Sequence, residues 1–366
     1  MEYTAETAAL IVTALHVPFF LTSLYNLLTA PEVKTAEGHQ GKVSLLIPAR
    51  NEEKNIGRTL ESILAMSDPL HEILILDDNS TDGTRRIAES FSAKDRRIMI
   101  ISGKELPTGW LGKNFACHQL SEKATGEYLL FMDSDVAMKS GSVSFLISKM
   151  KELNLSAASV FPTQLMSGVG EKFIVPMMNW ILLNLLPLNF VYRSNNPAFV
   201  AANGQLLCFR RDDYQSLGGH ASVKDKVVED MELARMIKRS GRKMMTFTGG
   251  SQIFCTMYSS LGESIKGFSK NFFPGFAMPA PVFLLFVLFL TALFLAPLAG
   301  VWFSSLFIIP SAMIYIQRAA VSRISRGVLL FNLVFHPVQM LAVLWTGINS
   351  VRVTLSRAAE WKGRKI

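Results

Sequence analysis

Cysteine is scarce and poorly placed for cross-linking. The three in 366 residues, Cys117, Cys208 and Cys255, lie far apart with no C-x-x-C spacing. That excludes a disulfide framework and points to reduced, buried thiols in a cytosolic compartment. Histidine offers no better metal site, because no second histidine stands at ligand spacing from His220. No Gly-rich phosphate loop follows the first strand pattern, which leaves a nucleotidyltransferase without support. Nor does a basic helix interleaved with aromatics occur, so the net charge of +8 points away from nucleic acid and no nucleic-acid partner is expected. Internal repeats and low-complexity tracts are absent.

What the chain has is apolar length. Hydrophobic residues make up 49% of it, too many for a purely soluble protein, while the middle is too charged for an all-membrane one. A globular domain with membrane segments is the natural division, and the positive charge then suits an anionic membrane surface. Residues 7–28 form an almost unbroken apolar run, with His16 and Pro18 in its middle, long enough to span a bilayer core as one helix. A signal peptide does not match its flanks, since Glu2 and Glu6 precede the run and no small-residue cleavage site follows cleanly. The acidic start and the basic residues from Lys42 onward place the following domain in the cytoplasm.

From 42 to 271 short hydrophobic runs alternate with polar helical stretches, the pattern of a mostly parallel sheet with helices on both faces. The most informative strand is Tyr128 to Met132, which ends abruptly on Asp133-Ser134-Asp135. Ligands in open α/β sheets bind beyond the carboxyl ends of strands. Two carboxylates there can hold a hard divalent cation, Mn²⁺ or Mg²⁺, which shares its other positions with phosphate oxygens. The first strand, from Val43, is ended by Pro48, and Ala49-Arg50-Asn51-Glu52-Glu53 is expected to open a helix through Leu64 with acids in its first turn. A second strand stops on Asp77-Asp78-Asn79-Ser80-Thr81-Asp82-Gly83-Thr84. The loop Gly109-Trp110-Leu111-Gly112-Lys113 leads into an amphipathic helix, and Gly126 just beyond it is expected as a left-handed cap. Glu229-Asp230 opens a later helix; such acids can complement a helix dipole or act as a base.

Strand, Pro-Ala-Arg-Asn-Glu-Glu, strand, Asp-Asp-Asn-Ser-Thr-Asp-Gly-Thr, a helix from near Lys113, strand, Asp-Ser-Asp: this order resembles the nucleotide-sugar domain of family-2 glycosyltransferases of the A-type fold. The resemblance implies an α/β, Rossmann-like mixed sheet over 42–271, with an N-terminal transmembrane helix and linker at 1–41 and membrane segments and a basic tail at 272–366. It further implies that Pro48, Ala49, Arg50 and Glu52 line the nucleoside pocket and Asp78 contacts the base. Lys113 approaches the diphosphate, Asp133 and Asp135 flank ribose and metal with Asp135 the metal ligand, and Asp230, with Glu229, is the catalytic base. Asn203-Gly204-Gln205 and Gly218-Gly219-His220 resemble the acceptor-side segment. His220 is structural or acceptor-facing, and Trp110 and Phe268 are weaker acceptor-side candidates. Membrane-bound members usually carry tryptophan where this chain has Phe268.

Residues 173–192, apolar but broken by Pro176 and Pro187, read either as an interfacial segment that seats a lipid or as an ordinary buried helix. Residues 281–299, 300–316 and 328–348 are hydrophobic again. An arginine loop (Arg318, Arg323, Arg326) is expected on the cytoplasmic side. His336-Pro337 interrupts the third segment, which spans, re-enters or lies at the interface. The tail carries Arg352, Arg357, Lys362, Arg364 and Lys365, and Glu360-Trp361-Lys362-Gly363-Arg364 reads as an interfacial anchor. Together with Gly-Trp-Leu-Gly-Lys and Ala116-Cys117-His118-Gln119, these features resemble the 4,4'-diaponeurosporenoate glycosyltransferases, which attach glucose from UDP-glucose to a carotenoid carboxylate. The expectation is a multi-pass membrane enzyme with a UDP-sugar donor, a lipid acceptor and a Mn²⁺ or Mg²⁺ cofactor. Hydroxyl-bearing lipids of hopanoid or polyprenyl type are alternative acceptors. A non-catalytic scaffold is the alternative of another class, and the intact acids argue against it.

Overall fold

The computed structural model describes residues 2–356, 358, 360–362, 364 and 365; Arg357 and Gly363 lie outside them. The chain opens with helix α1 (Glu2–Thr29) and then alternates β1 (Val43–Ala49), α2 (Ile56–Leu64), β2 (Glu72–Asp77), α3 (Thr84–Ser92), β3 (Ile98–Ser102), α4 (Gly112–Lys123) and β4 (Tyr128–Met132). Next come β5 (Val136–Met138), α5 (Ser142–Glu152), β6 (Ala157–Phe161), β7 (Thr163–Gln164), α6 (Val175–Leu185), α7 (Phe190–Arg193) and β8 (Leu206–Arg210). They are followed by α8 (Arg211–Ser216), α9 (Glu229–Arg239), β9 (Met244–Thr248) and β10 (Ile253–Cys255). The last helices are α10 (Leu261–Phe276), α11 (Ala280–Gly300), α12 (Ile308–Ile324), α13 (Leu329–Val334) and α14 (His336–Leu355), before the short strands β11 (Glu360–Trp361) and β12 (Arg364–Lys365). Two compact units share these elements. One holds 31–165, 189–257 and 360–366; the other holds 1–30, 166–188 and 258–359.

The first unit is built on a seven-stranded sheet in the order β3-β2-β1-β4-β8-β6-β9. Strands β1, β2 and β4 are buried at every position, which is why they are continuous apolar runs rather than alternating ones: helices cover both faces of a parallel sheet. β1 pairs parallel with β2 and with β4, while β8 runs antiparallel between β4 and β6. The sheet is therefore mixed but dominated by parallel pairs. After β3 the chain returns to the other side of β1, so the strand order reverses between β1 and β4, the place where open α/β sheets bind ligands. β1 pairs with β4 only over Val43–Leu46, so the missing N–H of Pro48 breaks no ladder bond on that side.

Two local expectations are corrected. Helix α2 begins at Ile56 rather than in the Ala49–Glu53 stretch, because Ala49 still belongs to β1, Asn51 takes a left-handed conformation (φ 52°) and the acids brace a neighbouring loop. Gly126 is no left-handed cap. A Cβ there would lie 2.6 Å from Ser44 Oγ and 2.7 Å from Ser44 N, so glycine is needed because the chain passes against β1.

In the second unit three helices are long and apolar enough to cross a membrane among the described residues: Thr4–Thr29, Ala280–Gly300 and Ser305–Ile324. Helix α6, eleven residues long, is too short to span and packs beside α1 and α12, with Trp180 buried edge-on against Phe294. Asn26 of α1 donates to the carbonyls of Leu183 and Leu186, both at 2.8 Å, capping the end of α6. The third C-terminal segment breaks at Phe335, and Pro337 occupies the first turn of α14, where a missing N–H costs nothing. Arg318 is not in a loop. It lies inside α12, is 1% exposed, and donates to Asn332 O (3.3 Å) and to Gln339 Oε1, because a buried guanidinium must be hydrogen-bonded.

Candidate active site

Two loops at the carboxyl ends of β1 and β2 interlock. Asp78 N donates to Ala49 O at 2.8 Å, and Arg50 Nη1 donates to the carbonyls of Asp78 (2.6 Å) and Asn79 (3.0 Å). Thr81 N donates to Asn51 Oδ1 (2.8 Å) and Glu52 N to Thr84 Oγ1 (2.7 Å). Glu53 accepts from Gly83 N (2.9 Å) and Asp82 from Glu53 N (3.2 Å). Asn51 and Asn79 both turn through positive φ, the backbone region asparagine tolerates best after glycine. The acids at 53 and 82 thus splice one loop to the other, leaving Glu52 and Asp78 on a shared wall with Arg50.

Lys113, in the first turn of α4, is the hub of the second half. Its Nζ lies 2.7 Å from Asp133 Oδ1, 3.5 Å from Glu229 Oε1 and 3.2 Å from Gly204 O. Because β8 is antiparallel, its leading residues Gly204 and Gln205 reach the same sheet edge as the end of β4, and Asp133 N donates to Gln205 O at 3.0 Å. Asp230 Oδ2 accepts from Gly204 N at 2.7 Å, and its Oδ1 from Met231 N at 2.7 Å. Burial alone would lower the Lys113 pKa; the Asp133 and Glu229 carboxylates reverse that and hold it well above its ordinary value. Burial pushes Glu229 up to about 7 and also raises Asp230, in both cases against the opposing pull of Lys113.

Asp135 stands two residues beyond Asp133, just past the end of β4. Burial and the neighbouring Asp133 and Glu52 charges raise its pKa to about 7. The Cys255 thiol hydrogen-bonds it, and Gln205 Nε2 in turn donates to Cys255 Sγ at 3.0 Å. Its Oδ1 is buried with no hydrogen-bond partner. An orphaned carboxylate oxygen beside a second carboxylate suits a hard divalent cation. Among the described residues no three of His, Cys, Asp and Glu converge to hold a metal by themselves, so such an ion would need oxygens from water or a diphosphate as well.

The structure gathers Pro48, Ala49, Arg50, Glu52 and Asp78 on one wall and Lys113, Asp133, Gly204, Glu229 and Asp230 in one cluster, with Asp135 feeling the charges of Glu52 from the first and of Asp133 and Lys113 from the second. Trp110 stacks on His118, centroids 5.0 Å apart. His220 is 3% exposed, hydrogen-bonded to Tyr214 Oη at 2.7 Å and packed 4.8 Å from the Phe131 ring. Burial drives its pKa down to about 3, and of the two readings left open for it this is a structural residue's setting. Phe268 lies in the other unit, where it lines a small, partly open apolar cavity with Ile174, Met177, Ile181, Phe272 and Val343. The tail read as an interfacial anchor brings Lys362 and Arg364 against Glu52 and Asp78, where two cations meet two carboxylates. Sequence reasoning gave no site role to Cys255 or Asn114. The latter donates to the carbonyls of Val223, Lys224 and Lys226 and so fixes the approach to α9. No spacing rule marks such contacts, which join residues far apart in the chain.

The model for glycosyl transferase family 2 matches residues 44–210. The 4,4'-diaponeurosporenoate glycosyltransferases of several Staphylococcus aureus strains are 27% identical over 249 residues, 67% of this chain and 64% of their own length. Among solved structures, the mannosyltransferase PcManGT of Pyrobaculum calidifontis, in complex with GDP-Man and Mn²⁺, superposes with a TM-score of 0.58 at 17% identity, covering 96% of this chain and 99% of that one; this is a likeness of fold. The match to the family-2 glycosyl transferase model thus lies within residues 44–210, on a fold like that of the mannosyltransferase.

Proposed function

We propose that this family-2 glycosyltransferase moves a single hexose, glucose, from a UDP-sugar to a lipid acceptor, a carotenoid carboxylate of the 4,4'-diaponeurosporenoate type. On this reading the enzyme is a multi-pass membrane protein whose catalytic domain, over 42–271, faces the cytoplasm. The observation that carries it is the convergence of Arg50, Glu52, Asp78, Lys113, Asp133, Asp135, Glu229 and Asp230 at one sheet edge.

Each residue has a role. Asp78, as a carboxylate, accepts a hydrogen bond from a ring N–H, which uracil and guanine offer on their pairing edge and adenine and cytosine do not. Arg50 and Glu52 complete the nucleoside wall. Asp135, with Asp133 beside it, would hold Mn²⁺ or Mg²⁺, and that ion when bound neutralises charge on the departing diphosphate. Lys113 waits at the same place, already charged, and can move from Asp133 towards the leaving oxygens. The acceptor oxygen attacks C1 of the sugar as the C1–O bond to the diphosphate breaks, and UDP leaves with the bonding pair. One displacement inverts the anomeric centre. The apolar cavity lined by Phe268 supports an acceptor with a hydrocarbon body.

The alternative acceptor, a lipid hydroxyl, has an observation in its favour. A carboxylate is already ionised and needs no base, whereas a hydroxyl gives up a proton. Asp230 is half-buried, held at both oxygens by backbone N–H groups, and raised in pKa, the properties of a general base. Both readings meet one test: UDP release by the detergent-solubilised chain with Mn²⁺ and UDP-glucose, offered a carotenoid acid or a lipid alcohol. Acceptor-dependent release lost in Asp135→Ala supports the metal-dependent transferase. Activity of Asp230→Ala with the acid alone selects the ester-forming reaction. No release and no UDP binding would leave the scaffold.

A further inference from the structure

The hairpin of β11 and β12 reaches the nucleoside wall, and its contacts are specific. Lys362 turns through φ 47° between the two strands. Arg364 Nη1 donates to Asp78 Oδ2 at 2.5 Å. Lys362 Nζ lies 2.9 Å from Glu52 Oε1 and donates to Asn51 O at 3.2 Å, while Arg50 Nε donates to Lys362 O at 3.2 Å. All four contacts fall on Arg50, Asn51, Glu52 and Asp78, and none on Lys113, Asp133, Asp135, Glu229 or Asp230. Among the described residues, these contacts engage the nucleoside end of the site.

Charge explains why cations belong there. The loops 50–55 and 77–84 hold five carboxylates (Glu52, Glu53, Asp77, Asp78, Asp82) against two cations (Arg50, Lys54), a poor welcome for an anionic nucleotide. Lys362 and Arg364 offset the two acids on the wall itself. Asp78 has a side chain only 3% exposed, and burial raises its pKa while Arg364 is the chief force lowering it. Without the guanidinium this carboxyl drifts towards its neutral form, and a neutral carboxyl no longer presents two acceptors to a base N–H.

We infer that the 360–365 hairpin is the closing wall of the nucleotide pocket, with Arg364 and Lys362 positioning residues that orient Asp78 and Glu52 and offset their charge for a nucleoside diphosphate. The inference rests on the donor-site reading above. It concerns a segment that neither the family model nor the motif order covers, since the former ends at 210.

The test uses the full chain in detergent with UDP and Mn²⁺ as the probe, comparing wild type with Arg364→Ala, Arg364→Lys and Lys362→Ala by titration calorimetry, and KM for UDP-glucose beside kcat. The expected result is a UDP Kd weakened about tenfold by Arg364→Ala and about threefold by Lys362→Ala. Donor KM rises in parallel, kcat stays within about twofold, and Arg364→Lys recovers part of the loss because it restores charge without the planar fork. Tighter UDP binding in the alanine variants would overturn the inference and make the hairpin a competitor for the pocket. Unchanged binding would overturn it and make the hairpin a bystander. Wild-type protein that binds neither UDP nor GDP would instead refute the donor-site reading, and the inference with it.

Discussion

Gly204→Ala is the sharpest perturbation available, because one methyl group would touch three members of the cluster. A Cβ at this position would sit 3.1 Å from Lys113 Nζ, 3.1 Å from Glu229 Oε1 and 3.5 Å from Asp230 Oδ2. The last is an ordinary contact; the first two are too close by a few tenths of an ångström. Neither neighbour yields freely. Lys113 is tied to Asp133 at 2.7 Å and to Gly204 O at 3.2 Å, and Glu229 is 8% exposed. The backbone itself does not oppose alanine, since Gly204 is not among the positive-φ glycines. Alanine lowers unfolded-state entropy, worth about 0.4–1 kcal/mol, which offsets the local crowding. The expected result is therefore a split: kcat for UDP release falls roughly tenfold, since a misplacement near 1 Å costs about a hundredfold, while Tm moves by no more than about 2 °C. The assay is initial-rate kinetics beside a thermal melt of the same preparation. A kcat within twofold of wild type, or a Tm loss large enough to account for the lost activity, would refute the argument that this glycine makes room for the cluster.

Lys113→Met strands Asp133 and Glu229 without their shared cation; stability falls by about 2 kcal/mol and turnover by more than a hundredfold, read by thermal melting and UDP release. Glu72 accepts from Ser44 Oγ and Thr125 N, each at 2.6 Å, and from Thr125 Oγ1 at 2.8 Å. Burial pushes its pKa up, but these bonds outweigh burial and leave it below the ordinary value. Its folded pKa being depressed, its stabilisation is present above the unfolded value of about 4.3 and is lost as pH falls through the folded one. The Tm gap between wild type and Glu72→Gln should accordingly be full at pH 7 and shrink below about pH 4; a constant gap would contradict the assignment. With a hydroxyl acceptor, kcat/KM should rise with pH through an apparent pKa above the ordinary carboxylate range, because only ionised Asp230 accepts a proton and burial raises its pKa. The limb reports the carboxylate cluster as a whole, and it should vanish with Asp230→Asn.

Read alone, the sequence determined whatever depends on neighbours along the chain. Largely apolar runs followed closely by Asp or Pro marked β1, β2 and β4, because a strand buried on both faces admits a polar side chain only where it is hydrogen-bonded, as Ser44 is to Glu72, and polar groups gather where it ends. The same locality located the D-x-D pair, the Glu-Asp start of α9 and the long apolar helices. Tertiary structure alone decided what depends on approach across space. Residues 166–188 and 258–271 group with the apolar helices although they fall inside the stretch read as one catalytic domain, since their apolar surface is buried against α1, α11, α12 and α14. Gly126 must be glycine because of Ser44, eighty-two residues away. Gly204 is wedged against Lys113 and Glu229, and Arg364 finds Asp78 at a separation of 286 residues. Periodicity and capping rules read separations of a few residues; the ion pairs and close contacts that complete this site join residues brought together only when the sheet edge forms, and no spacing in the chain announces them.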